Sequence, residues 1–195
     1  KEGNCLVIHD ARNGEFIQTF GEVGTDNGQF RRPNGIAIAG TGTMGNTISG
    51  NYLGVDASGT GALGNSGNGI WIAEGASGNV VGGTTASDRN IISGHVYNGI
   101  HLDGAGTADN IVAGNYIGTD ASGTAAVSNG ADGILLTAGT HGNQIGGTSA
   151  EERNVISGNS QNGVTIRASG TMSNTVSGNY IGTDASGSSA LANGI

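Results

Sequence analysis

The sequence predicts an all-β chain whose residues 34–195 wind into a right-handed parallel β-helix, a solenoid, and three observations carry that expectation. The first is a long repeat: GNYLGVDASGT at Gly50–Thr60 returns as GNYIGTDASGT from Gly114 and as GNYIGTDASGS from Gly178, in steps of 64 residues. The second is an Asn placed two residues before Ile or Val, at Asn46, Asn79, Asn110, Asn143 and Asn174, in steps that alternate between 33 and 31. Each 64-residue unit therefore holds two coils. The third is a Gly followed by two alternating apolar positions, at Gly69, Gly99, Gly133 and Gly163.

Each element follows from these marks. The pairs Ile70 and Ile72, Ile100 and Leu102, Ile134 and Leu136, and Val164 and Ile166 alternate with period two, so they point inward and the residues between them point outward. Stacking one coil on the next at about 4.8 Å pairs the backbone groups above and below. Ile48, Val81, Val112, Ile145 and Val176 form a second inward ladder. Helices are not expected, because the short apolar runs are broken by Gly and Asn, which favour turns. The recurring Asn residues mark corners, either as stacked amides bonding adjacent coils or as residues in left-handed turns. A stack of like coils has open edges, so end-to-end self-association of the chain is expected.

Composition narrows the class further. Glycine makes up 40 of 195 residues beside a single proline, which fits no collagen, and the regularly spaced 35% of hydrophobic residues fit no disordered chain. A formal net charge of −8 offers no basic stripe for nucleic acid and disfavours highly anionic glycans, leaving neutral glycans as the partner class. The lone Cys5 has no internal disulfide partner. No apolar run approaches the roughly 18 residues of a membrane span. Starting at Lys1 and stopping at Ile195 partway through a repeat, the chain reads as an internal piece of a longer protein.

The motifs GNYIGTDASGT, NVVGG or NQIGG, RNIISG or RNVISG, and NGI keep their spacing through successive units. Together they resemble the tandem repeats of large bacterial surface or secreted proteins of the right-handed β-helix group, to which the pectate lyases also belong. The resemblance implies fold and an extracellular or cell-surface setting. It implies no catalytic residue. Residues 1–33 differ: CLVIHDARNGEFIQTFG reads as a β-hairpin turning at Asn13 and Gly14, and NGQFRRPNGIAI resembles one NHL propeller repeat. This segment is either the remnant of a propeller or an imperfect first coil, and Asn34–Asn46 serves both readings.

Candidate site residues come from departures from the repeat. Trp71, His101, Leu135 and Thr165 form one outward column, with Ala73, Asp103, Thr137 and Arg167 beside it. Trp71, His101, Asp103 and Arg167 are the candidate carbohydrate-binding residues, since an aromatic face among polar donors suits a sugar ring. The leading expectation is a non-catalytic extracellular spacer or adhesive module. The alternative is a polysaccharide lyase or glycoside hydrolase whose catalytic residues lie outside this chain. Lyase chemistry needs several carboxylates for calcium beside a base, and hydrolysis needs paired acids, whereas the strip offers Asp103 alone. No cofactor is expected. A calcium role for Asp56, Asp120 and Asp184 is weak, because each loop brings one carboxylate, and bonding of the loop's own amides is the better role. Tyr52, Tyr116 and Tyr180 read as packing posts, Asp88–Arg89 and Glu152–Arg153 as solvated turns, and His95 as incidental, its counterpart being Asn159.

Overall fold

The computed structural model describes Leu6–His9, Phe16–Phe20 and residues 34–194, and the chain divides into two compact units, Lys1–Pro33 and Asn34–Ile195. In the first unit, β1 (Leu6–His9) and β2 (Phe16–Phe20) pair antiparallel, as the hairpin reading requires. The turn expected at Asn13 and Gly14 and the segment resembling an NHL repeat up to Pro33 lie outside the described residues.

The second unit is a parallel β-solenoid of five coils, each contributing one strand to each of three five-stranded sheets. The first sheet stacks β3 (Ile36–Ala39), β6 (Ile70–Ala73), β9 (Ile100–Asp103), β12 (Ile134–Thr137) and β15 (Val164–Ile166). The second stacks β4 (Thr47–Ile48), β7 (Val80–Gly82), β10 (Ile111–Ala113), β13 (Gln144–Gly146) and β16 (Thr175–Ser177). The third stacks β5 (Tyr52–Leu53), β8 (Ile91–Ile92), β11 (Tyr116–Ile117), β14 (Val155–Ile156) and β17 (Tyr180–Ile181). Because β3 pairs with β6 from Ile36↔Ile70 to Ala39↔Ala73, the segment Asn34–Asn46 runs as part of the first coil.

Three inward columns fill the interior. Ile70, Ile72, Ile100, Leu102, Ile134 and Leu136 come from the first sheet, Val81, Val112 and Ile145 from the second, and Ile92, Ile117 and Ile156 from the third. All are 0% exposed, and each contributes roughly 1.5–3 kcal/mol by leaving water. Their equivalents on the last coil, Val176 and Ile166, are 38% and 46% exposed because no coil covers them there. The glycine that opens each strand of the first sheet is required by close approach between coils. A Cβ on Gly99 would stand 2.7 Å from both the Gly133 carbonyl oxygen and Ile117 Cγ2, a separation side chains do not tolerate.

The corners are held by side-chain amides. In the column Asn46, Asn79, Asn110, Asn143 and Asn174, each Nδ2 donates to the next Oδ1 at 2.8–3.0 Å, and each backbone N–H donates to that same oxygen. Asn110 shows the full accounting: Oδ1 accepts from Asn79 N and Nδ2, while Nδ2 donates to Asn143 Oδ1 and to the Ala76 carbonyl. All four of its hydrogen-bonding positions are used, which makes complete burial of a polar side chain tolerable. The stacked-amide reading of these residues is thus the correct one.

Three further columns repeat the device. Asn51, Asn90, Asn115, Asn154 and Asn179 stack where the second sheet meets the third, with sequence steps of 39 and 25. Asn65, His95, Asn129, Asn159 and Asn193 stack after the third sheet. Asn34, Asn68, Asn98, Asp132 and Asn162 stand before the first sheet, where the donors point back toward the preceding coil instead of forward.

The two coils of a unit differ in where their extra residues go. Odd coils insert a small hairpin after the third sheet, closed by the antiparallel bridges Val55↔Ala62, Thr119↔Ala126 and Thr183↔Ala190. Even coils instead bulge between the second and third sheets, one of them through the 3₁₀ turn Ala86–Asp88. A hairpin is two strands thick, about the height of two coils, so it fits only on alternate coils at a given corner. Successive hairpins touch, Ala121 N donating to Gly59 O at 3.0 Å and Ala185 N to Gly123 O at 2.9 Å.

Two predictions follow from this packing. Asn110→Ala removes four hydrogen bonds in the interior and should cost on the order of 3 kcal/mol, more than Asn174→Ala on the less buried last coil, as measured by urea denaturation. The terminal strands β15, β16 and β17 have neighbours on one side only, so the 195-residue chain should sediment with a mass that rises with concentration. A constant monomer mass at high concentration would refute the second.

Candidate functional site

The outer face of the first sheet carries the strip expected from the sequence. Trp71 and His101 are direct register partners, as are Ala73 and Asp103, and Leu135 and Thr137 continue the two columns on β12. Thr165 follows on β15, and Arg167, exposed, extends from the end of that strand with its N–H donated to Leu136 O at 3.0 Å. Trp71, His101 and Asp103 are each partly exposed. Leu135 departs from the pattern, for it is only 5% exposed although it occupies an outward position between His101 and Thr165. Ala73 is buried as well, so the accessible members of the two columns are Trp71, His101, Asp103, Thr137, Thr165 and the exposed Arg167.

His101 is the most unusual member. Its Nε2 is a buried atom with no hydrogen-bond partner. Burial holds the imidazole below its ordinary value; the Asp103 carboxylate opposes that shift and the Arg167 cation adds to it. Arg167 stands two coils away and is the smallest of these three causes. The unsatisfied nitrogen is enclosed, so what the strip offers outward is the partly exposed Trp71 indole beside a neutral ring, a surface less suited to binding an anion.

The hairpin loops use their carboxylates internally. Asp56 Oδ1 accepts from Ser58 Oγ at 2.6 Å and from the N–H groups of Ser58 and Thr60, and these bonds, led by the Ser58 hydroxyl, hold its pKa below the usual value. In Asp120, burial pushes the pKa up, but Ser122 Oγ and the amides of Ala125, Thr124 and Gly123 outweigh it and the net shift is downward. Asp184 repeats the pattern with Ser186. This is the amide-bonding role expected for an Asp before Ser-Gly. Among the described residues no group of three or more His, Cys, Asp or Glu side chains converges as a metal-ligand set.

Tyr116 is a packing post: it lies against the second core cluster of Val55, Ile91 and Val127, beneath the hairpins. The basic turns are less bland than their sequence suggests. Arg89 lies 4.2 Å from the Tyr116 ring centroid and Arg153 lies 4.2 Å from that of Tyr180, so each even-coil loop is strapped to the following odd coil. The recurrence of Arg and Tyr with the same 64-residue step was the available signal. Thr107 is buried, its Oγ1 donating to Asp103 O and accepting from Gly75 N.

His95 is not incidental. It occupies an Asn position of the third column, where Nδ1 accepts from Asn65 N at 3.2 Å, as an amide oxygen would, and Nε2 lies 3.2 Å from Leu53 O, as an amide nitrogen would. A backbone N–H can only donate, so Nδ1 is unprotonated and Nε2 carries the hydrogen. Burial lowers the pKa to about 4, against a smaller opposing effect of the Leu53 carbonyl.

Compared with known proteins, the chain matches no protein family, no curated protein sequence and no solved structure. The resemblances to the pectate-lyase-like group and to an NHL repeat therefore have no match behind them, and the solenoid stands on its own coil geometry.

The His95 arrangement has a measurable consequence. Its folded pKa lies below the unfolded value of 6.5, so the unfolded chain takes up the proton first; stability is intact above about pH 6.5 and falls as pH drops toward 4. The loss should be on the order of 3 kcal/mol, and His95→Asn, which restores the column, should remove that component. Thermal unfolding of both chains between pH 7 and pH 4 checks this, and parallel acid profiles would contradict it.

Proposed function

We propose that the protein is a non-catalytic, extended module of a bacterial surface or secreted protein, serving as a spacer that contacts neutral glycans through the strip of Trp71, His101, Asp103 and Arg167. The observation that carries this reading is the pairing of Trp71 with His101 on adjacent coils, both partly exposed on the outer face of the first sheet. The polar side chains of the four corner columns are spent on one another, which favours recognition by departures from the repeat on an outer face. An indole supplies the apolar face a pyranose ring packs against, and His101 and Asp103 supply hydrogen-bonding groups at its edge. The extracellular, adhesive setting rests on the resemblance of the repeat motifs to bacterial surface proteins. A lyase or hydrolase would need acids flanking a glycosidic bond, and the strip's own carboxylate is Asp103 alone.

The test is a panel of neutral and acidic polysaccharides, scored for both binding and cleavage. Binding of a neutral glycan that weakens at least tenfold in Trp71→Ala, without new reducing ends or unsaturated products, is the expected result. Products that vanish in a Trp71→Ala, Asp103→Ala double variant would make the protein an enzyme, and binding unchanged by Trp71→Ala would remove the strip from the site.

A further inference from the structure

The corner between the second and third sheets holds a groove that the proposed strip does not use. On even coils the chain bulges there, through residues 83–90 after β7 and 147–154 after β13, whereas on the coil between them Gly114 and Asn115 turn directly from β10 into β11. The two bulges thus stand about two coils, roughly 10 Å, apart along the stack. Between them lies a groove of about 250 Å³, lined by Thr84, Thr85, Arg89, Ala150, Glu151 and Arg153 among others.

Both arginines are oriented before any ligand arrives. Each guanidinium lies against a tyrosine ring at 4.2 Å, Arg153 Nε donates to Gly178 O at 2.9 Å, and Arg89 Nε is buried without a hydrogen-bond partner. Among the described residues neither has a carboxylate within ion-pair distance. Glu151 shares the lining with the two arginines, and Asp88 and Glu152 flank them with carboxylates bonded to loop groups of Thr85, Thr148 and Ser149, so the cationic character is local to the two guanidinium edges. With Arg153 Nε engaged and Arg89 Nε buried, the Nη1–Nη2 edge of each guanidinium is the one left to meet an oxyanion with two acceptor oxygens.

We propose that this groove binds the oxyanion groups of an acidic saccharide, carboxylate or sulfate ester, with Arg89 and Arg153 as its two forks. The spacing favours a saccharide over an acidic peptide. An extended peptide presents carboxylates on one face about 7 Å apart, short of the two-coil interval. Sugars are longer units, and a saccharide charged on alternate residues spans it. The expectation that anionic glycans are repelled follows from net charge, and this groove is the local exception to it.

Calorimetric titration at low salt with trigalacturonate, sulfated maltotriose and neutral maltotriose tests the proposal. At least one acidic probe should bind in the millimolar range or tighter, weaken as salt rises, and lose tenfold or more in an R89Q/R153Q double variant. Which probe binds distinguishes carboxylate from sulfate. Because the arginines also strap the coils, an R89K/R153K variant keeps the charge and loses the fork, and it should bind more weakly than the unaltered chain with an unchanged urea midpoint. Trp71→Ala should leave acidic-probe binding intact, which separates this site from the strip. The proposal is overturned if neither acidic probe binds, or if binding survives R89Q/R153Q undiminished.

Discussion

Every buried corner of this solenoid depends on one interaction, the side-chain amide that bonds to its equivalent one coil away. An amide has two donor and two acceptor positions, and burying it is costly unless all four are used. In Asn110 and Asn154 they are used by the column neighbours and by backbone carbonyls of adjacent coils. The arrangement closes only if the residue above and the residue below offer matching donors and acceptors in register. Four such columns therefore lock the lateral position of each coil, which the apolar interior, being indifferent to small slides, does not.

The same stacking explains why the repeat spans two coils. A hairpin cannot be placed on every coil at one corner without colliding with its neighbour, so insertions alternate between corners. Odd-coil hairpins then cover Ile91 and the tyrosine column, and even-coil bulges leave a gap of one coil between them. The groove with Arg89 and Arg153 is a by-product of that alternation. Once the coils are fully satisfied internally, chemistry directed outward is confined to residues that break the repeat or to the spaces between insertions.

His95 shows how tightly the columns constrain what replaces an amide. Imidazole is accepted because its two ring nitrogens reproduce one acceptor and one donor at the required separation, and the price is a neutral ring in one tautomer. Asp132, in the fourth column, is accepted because Asn162 N and Nδ2 both donate to its Oδ1. Replacements are thus allowed where the hydrogen-bonding pattern survives, whatever the residue's usual chemistry.

Periodicity by itself determined the solenoid, its two-coil unit, the inward columns of Ile70 to Leu136 and the positions of the first Asn column, because translation along the stack copies each local choice into the sequence at a constant interval; that these residues stack as amides was decided by the structure. The pairing of Trp71 with His101 was legible for the same reason. Other features only the tertiary structure decided. The second amide column was hidden because its steps of 39 and 25 alternate so unequally that Asn51 and Asn90 look like members of different motifs. Leu135 was read as outward and is buried, since alternation gives direction and not the cover supplied by neighbouring coils. The stacking of Arg89 on Tyr116 and the groove between the bulges depend on side chains 27 and 64 residues apart in sequence, brought together only when the coils stack.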